Sequence, residues 1–287
     1  MKRMFVILPQ LAACLLAVSS VLTGCTEKQN VNPVRGTPPV VDLNWQFETT
    51  PVWSDEFNGT GPVDGSKWSF ETGGGGWGNN ELQYYTDNGN AILQGGNLVI
   101  TAKRESFGGR NYTSTRLISR GKGDWLYGRM EVRARIPKGR GTWPAIWMLP
   151  SDNAYGTWPA SGEIDIMEHV GYDPNRIHFS IHTSAYNHTR GTQRSTNQIV
   201  PNATDDFNVY RVDWTPYAVR GFINGTQYFT FTNENTGFTT WPFNKRFFMI
   251  LNIAVGGNWG GAQGIDDTAF PTQMLVDYVR VYKMIEQ

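Results

Sequence analysis

Three acids, Glu163, Asp165 and Glu168, stand in the run Gly162-Glu-Ile-Asp-Ile-Met-Glu168 among apolar residues where a buried strand is expected. Side chains alternate along a strand, so Glu163 and Asp165 share one face while Ile164 and Ile166 take the other. Strict alternation would bury Glu168 with the isoleucines. A β-bulge absorbing one extra residue near Met167 returns it to the acidic face. The Cα atoms of Glu163 and Glu168 then lie roughly 13 Å apart, at about 3.3 Å per effective residue. Retaining hydrolysis of a glycosidic bond needs two carboxyl groups only about 5 to 5.5 Å apart. Two glutamates leaning together across a concave sheet could close that gap. One must be ionised to attack an anomeric carbon, and the other must hold a proton for the leaving oxygen. Asp165, between them, can hydrogen-bond the nucleophile and add the negative field that keeps the acid protonated. A solvated acidic face on an edge strand would show the same spacing, so the surroundings must decide.

Those surroundings are rich in indole. In Gly141-Thr-Trp-Pro-Ala-Ile-Trp-Met-Leu149, Trp143, Ala145 and Trp147 fall on one face by alternation. Trp158 lies just before the acidic strand, and Trp259 sits in the loop Gly256-Gly-Asn-Trp-Gly-Gly261. Indoles stack on the apolar C–H faces of sugar rings. The chain of 287 residues balances 25 Lys+Arg against 25 Asp+Glu, with 17% charged positions. That balance argues against a nucleic-acid partner, which calls for a basic excess or stripe. A neutral, Trp-rich chain fits an uncharged saccharide instead.

The elements that must position these residues read as strands. Thirty-two Gly and 15 Pro break the chain too often for long helices. Asn97–Ala102, Gly128–Ile136, Ile177–His182, Arg211–Trp214, Ala218–Ile223, Phe247–Ile253 and Leu275–Tyr282 are short, β-branched or aromatic, and often alternate in polarity. Asn224-Gly225 predicts a tight hairpin, since both central turn positions need positive φ. The expected fold class is all-β, a sandwich of two antiparallel sheets. Ahead of it, Lys2 and Arg3, the apolar stretch Phe5 to Val21 and Leu22-Thr-Gly-Cys25 read as an export signal. The expected organisation is a signal peptide over 1–24, a flexible tether over 25–50 and one folded domain over 51–287. Cys14 falls within the removed segment, so no thiol pair remains for a disulfide.

The stretch Trp158-Pro-Ala-Ser-Gly-Glu-Ile-Asp-Ile-Met-Glu-His-Val-Gly171 resembles the signature of glycoside hydrolase family 16, in the bulged E-x-D-x-x-E form of laminarinases. Asp55-Glu-Phe-Asn-Gly59, Trp77-Gly-Asn-Asn-Glu-Leu-Gln-Tyr-Tyr-Thr86, Asp213-Trp-Thr-Pro216 and Leu251-Asn-Ile-Ala-Val-Gly-Gly-Asn-Trp259 agree in order, so the resemblance spans about residues 53 to 283. It implies a β-jelly-roll with an open cleft, and endo-hydrolysis of a β-glucan, β-1,3-linked or mixed β-1,3/1,4-linked, with retention. Glu163 would be the nucleophile, Asp165 its assisting acid and Glu168 the general acid/base. Asn79, Arg116, Trp143, Trp147, Trp158, His182 and Trp259 would contact sugar. No cofactor is needed for catalysis. A structural Ca²⁺ on the convex side would involve Glu56, Gly96 and Asp277, and hard oxygen donors suit that ion. His169, His178 and His188 show no spacing for zinc. The N-terminus resembles a bacterial lipoprotein signal, implying acylation of Cys25 and attachment to the cell envelope by lipid alone; the protein is expected to act as a monomer. Asn208 stands where relatives often have histidine, and Ala185-Tyr-Asn-His188 extends the loop after His182 toward the cleft border. Two other readings fit the residues: a galactan hydrolase of the same fold, or a noncatalytic glucan-binding surface lipoprotein. Retention of both Glu163 and Glu168 argues against the last.

Overall fold

In the computed structural model, residues 45–87 and 89–285 are described; Cys25 and the expected signal and most of the tether lie outside them. Two antiparallel eight-stranded sheets pack face to face. The back sheet runs in the order Thr226–Thr232, Ala218–Ile223, Asn208–Trp214, Gly128–Arg135, Thr272–Tyr282, Asn97–Ala102 and Ala91–Gln94, with Trp53–Asp55 also on Thr272–Tyr282. The cleft sheet runs Arg194–Ile199, Arg176–His182, Glu163–Glu168, Thr142–Pro150, Phe247–Val255, Arg116–Ile118 and Ser69–Glu71, with Asp124–Trp125 also on Phe247–Val255. This is the all-β sandwich expected from the strand pattern, in the jelly-roll form that the family resemblance implies.

Alternation decides what each sheet turns inward. On Gly128–Arg135, Met130, Val132 and Ala134 are buried in the core while Arg129, Glu131 and Arg133 face out on the back. On the cleft sheet, Ile164, Ile166, Ile177, Phe179, Ile181, Leu251 and Ile253 meet them from the other side. Each such side chain removed from water contributes roughly 1.5 to 3 kcal/mol. Since the core takes one face of the cleft sheet, its opposite face is free to carry polar chemistry. The hairpin at Asn224-Gly225 forms as expected, with φ of 49° and 83° and Ile223 opposite Thr226. Asn208 sits at this hairpin on the back sheet, where its Oδ1 accepts from Asn224 Nδ2 at 2.8 Å, so its departure from the family pattern does not touch the cleft.

The acidic strand is bulged where its sequence requires. Toward Thr142–Pro150, Ile146 pairs with Met167 and Trp147 with Asp165, leaving Ile166 as the extra residue. Toward Arg176–His182, Asp165 pairs with Ser180 and Glu168 with His178, so Phe179 alone opposes Ile166 and Met167. Both of those residues enter the core, and Glu168 returns to the face of Glu163 and Asp165. Phe179 backs the bulge and closes on Gly221 of the other sheet, where an added Cβ would lie 2.4 Å from its ring. Gly221→Ala is therefore expected to lower stability by about 1 to 3 kcal/mol through overpacking. Chemical denaturation checks this; a change under about 0.5 kcal/mol would show the ring free to move.

The paired body begins before residue 51. Gln46–Phe47 pairs with Met284–Ile285, Trp45 packs on the Arg220 guanidinium at 4.5 Å, and Phe47 on that of Arg129 at 4.8 Å. Arg220 and Arg129 both neighbour Asp213 on the outer surface of the back sheet. The aromatic pair in Trp45-Gln-Phe47 thus extends the fold into a segment whose composition reads as tether.

On the same back surface, Asp277 is the extra residue at a register shift, since Arg133 pairs with Tyr278 and Ala134 with Val276. Its strand pairs with Asn97–Ala102 up to Val276 and with Trp53–Asp55 from Val279, which brings the backbone at Gly96 and Glu56 beside it. The side chains are engaged elsewhere: Asp277 Oδ2 accepts from Arg133 Nη1 at 2.6 Å, and both Glu56 oxygens accept from Arg280 at 3.0 and 2.7 Å. Glu56 could therefore offer a cation only its backbone carbonyl.

Candidate active site

The ladder lays one row of side chains across the cleft sheet. His178, Glu168, Ala145, Asn252, Arg116 and Glu71 are successive cross-strand partners. Beside it run Ser180, Asp165 and Trp147, followed by Glu163 opposite His182. Loops cover the flanks. The turn around Gly73–Glu81 and the loop Gly256–Gly261 are tied together, with Asn258 N donating to Asn79 O at 2.7 Å and Asn80 Nδ2 to Asn258 Oδ1 at 2.8 Å. These bonds carry Trp77, Asn79 and Trp259 to the cleft.

Two cavities share this floor. One of about 60 Å³ is lined by all three acids with Trp77, Asn79, Arg116, Trp143, Trp147 and Asn252. The other, about 490 Å³, includes Glu163 but not Glu168, and extends past Trp158, Arg120, Phe248 and Glu71. Trp77, Asn79, Arg116, Trp147 and Glu163 border both.

Each glutamate has its own indole donor. Trp158 Nε1 donates to Glu163 Oε2 at 2.6 Å, and Trp143 Nε1 to Glu168 Oε1 at 3.0 Å. His182 Nε2 lies 4.0 Å from Glu163 Oε1 and 3.3 Å from Asp165 Oδ2, and that Asp165 oxygen accepts no hydrogen bond. Trp259 meets Trp143 edge to face at 5.5 Å and His178 at 4.9 Å. All seven expected sugar-contacting residues therefore gather around the acids. Trp147 differs from a free stacking platform: the Arg116 guanidinium sits 4.6 Å from its ring and 4.9 Å from that of Trp77. Arg116 is held there by Glu71, whose Oε2 accepts from Nε at 2.6 Å.

Burial sets the proton affinities. It pushes Glu163 up to about 8, helped by the charge of Asp165 and opposed by His182 and the Trp158 hydrogen bond. Glu168 rises to about 7, first from burial and then from the charge of Glu163, with His182 and Trp143 opposing. Asp165 moves well above the carboxylate range, from burial and then the charge of Glu168. Acids this close titrate as a set and cannot all be charged. Burial and mutual charge thus keep protons on the set near neutral pH, while the Trp158 and Trp143 hydrogen bonds favour the charged forms of Glu163 and Glu168.

Trp158→Phe keeps an aromatic face but deletes the donor to Glu163. A hydrogen bond to a charged group contributes about 1.5 to 3 kcal/mol, so kcat should fall roughly tenfold or more. Because that bond lowers the affinity of Glu163 for its proton, the acidic limb of the pH profile should also move upward. An unmoved limb would place the indole in substrate stacking alone.

Several cleft residues were not distinguished in the sequence. Glu71 and Asn252 reach the site only through cross-strand register. His188 and Thr189 line the larger cavity, and the His188 ring lies 5.0 Å from Trp158 and 5.2 Å from His182. The signal available for them was the lengthened loop after His182, and that loop does border the cleft.

Comparison with known proteins accords with this geometry. Residues 78–280 match Glycosyl hydrolases family 16. A beta-glucanase of Rhodothermus marinus is 54% identical over 244 residues, covering 82% of this chain and 85% of that protein. A glucan endo-1,3-beta-glucosidase of Cryptopygus antarcticus is 41% identical over 232 residues, covering 75% of this chain and 83% of that one. The crystal structure of the laminarinase from Rhodothermus marinus superposes with a TM-score of 0.82 at 53% identity, over 85% of this chain and all of that chain. With its bulged acidic strand and indole-lined cleft, this chain belongs to glycoside hydrolase family 16.

Proposed function

We propose that the protein is an endo-acting, retaining β-glucanase that hydrolyses β-1,3-glucan or mixed-linkage β-1,3/1,4-glucan. The observation that carries this reading is the bulge at Ile166, which sets Glu168 on the face of Glu163 and Asp165 under two indole donors. In the first step the Glu163 carboxylate attacks the anomeric carbon while Glu168 gives its proton to the departing glycosidic oxygen. The bond to that oxygen breaks and a glycosyl ester on Glu163 forms. In the second step Glu168, now ionised, takes a proton from water, whose oxygen attacks the same carbon and frees Glu163. Asp165 assists Glu163 as the carboxylate attacks and as it leaves. Because Glu168 serves the leaving group, the larger cavity on the Glu163 side receives the glycone arm of the polymer.

Mass spectrometry of products from residues 45–287 incubated with laminarin and with barley-type mixed-linkage glucan tests this. Short oligosaccharides from either polymer are expected, and their linkages give the preference. No cleavage of either, with a working control enzyme, overturns the reading.

Envelope attachment through an acylated Cys25 belongs to the same proposal and rests on Leu22-Thr-Gly-Cys25 after an apolar stretch. So does a structural Ca²⁺ at Asp277. The donors would be oxygens, Asp277 Oδ1 and backbone carbonyls at Glu56 and Gly96, which suit a hard cation, beside the Arg133 guanidinium that holds Asp277 Oδ2. Its role is to steady the back sheet, remote from the acids. Chelation by EDTA is expected to lower Tm by about 5 to 10 °C if the ion is near 100 times its Kd, with kcat well below Tm unchanged. A Tm indifferent to both EDTA and added Ca²⁺ would remove calcium from the account.

A further inference from the structure

Glu81 is a buried carboxylate, 6% exposed, that takes no part in the chemistry above. Its Oε2 accepts two hydrogen bonds, from Gln83 Nε2 at 2.6 Å and from the Tyr85 hydroxyl at 3.1 Å. Gln83 cannot turn its amide around, because its Oε1 accepts from Val255 N at 2.7 Å. Tyr85 has one proton, and with that proton on Glu81 its oxygen must accept. It accepts from Asn252 Nδ2 at 3.0 Å. The Asn252 amide is thereby oriented, and its Oδ1 accepts from Trp147 Nε1 at 2.7 Å. With Glu81 ionised, donation runs one way, from Trp147 through Asn252 and Tyr85 to a carboxylate that only accepts; burial raises its proton affinity, while the hydrogen bonds from Gln83 and Tyr85 and the Arg116 charge favour the ionised form. The chain ends at Glu81 on the wall of the small cavity that the three acids line, and its other end is the indole against which Arg116 stacks.

We infer that Glu81 is a positioning residue for glucan binding: as terminal acceptor it sets the direction of this chain and so holds the Asn252 amide and the Trp147 indole in their binding orientation. The inference rests on the glucanase reading of the cleft. Without an acceptor at Glu81, the Tyr85 hydroxyl is free to turn, Asn252 to flip and the indole N–H to lose its partner. Buried groups joined in series lose their order together. Glutamine at position 81 keeps an oxygen at the same point; leucine does not.

Glu81→Gln, Glu81→Leu and Tyr85→Phe would be compared with the parent protein in laminarin kinetics and in the indole N–H resonance of Trp147, assigned by its loss in Trp147→Phe. Glu81→Leu and Tyr85→Phe are expected to raise KM about tenfold with kcat changed less than about threefold, and both should shift the Trp147 resonance. Glu81→Gln should restore KM to within about threefold of the parent. An unshifted resonance in Tyr85→Phe overturns the inference, as does a loss confined to kcat. Glutamine as poor as leucine overturns the acceptor argument in favour of charge. Tyr85→Phe leaves Glu81 and Gln83 paired, so it supplies the answer if Glu81→Leu does not fold. The resonance reads the chain without turnover, so a parent protein that cuts no glucan ends the glucanase reading while the network is still measured.

Discussion

Glu163→Gln is expected to lower kcat on laminarin by roughly 10⁴-fold or more while oligosaccharide Kd stays within about threefold. The amide is nearly isosteric, and its oxygen can still accept from Trp158 Nε1, so the pocket keeps its shape. What disappears is the electron pair that forms the glycosyl ester. A second effect follows from charge: Glu163 is one of the groups that raise Glu168, so its neutralisation should bring the proton affinity of Glu168 down. Initial rates with calorimetric binding read the first effect, and titration of the Glu168 carboxyl by carbon-detected NMR reads the second. Turnover close to that of the parent would mean that Glu163 forms no bond to sugar.

For Glu168→Ala the expected loss depends on the leaving group. Cleavage of polysaccharide should fall by about 10² to 10⁴-fold, the usual span of general acid catalysis, whereas an aryl glycoside with a nitrophenolate leaving group should lose less than about tenfold. A sugar alkoxide needs its proton as the bond breaks; a nitrophenolate leaves without one. The pH profile supplies a second signature. Below about 7 Glu168 holds its proton, and above it the proton is lost, so the parent rate on polysaccharide should decline on that side and the variant should show no such limb. Equal losses on both substrates, or a limb that survives the substitution, would assign the proton donor elsewhere.

The two residues behind these predictions were legible in sequence because their arrangement is local. Alternation places Glu163 with Asp165, and one inserted residue is the only way for the same strand to keep Glu168 with them. The structure puts that residue at Ile166, one position from Met167. Asn224-Gly225 was legible for a similar reason, since its turn chemistry lies in two adjacent residues. Asn252, Glu71 and Glu81 were not. Each is an ordinary polar residue in its own neighbourhood, and its role comes from strand register or from a chain of bonds between segments as distant as Tyr85 and Asn252. The covered face of Trp147 was hidden for the same reason: alternation shows that its side chain faces the cleft, but not that Arg116, two strands away, lies against it.

Trp45 and Phe47 lie over Arg220 and Arg129 on the surface opposite the acids. The described chain therefore starts on the side away from the acids, so Trp45–Phe47 leave the whole length of the cleft to a polymer strand.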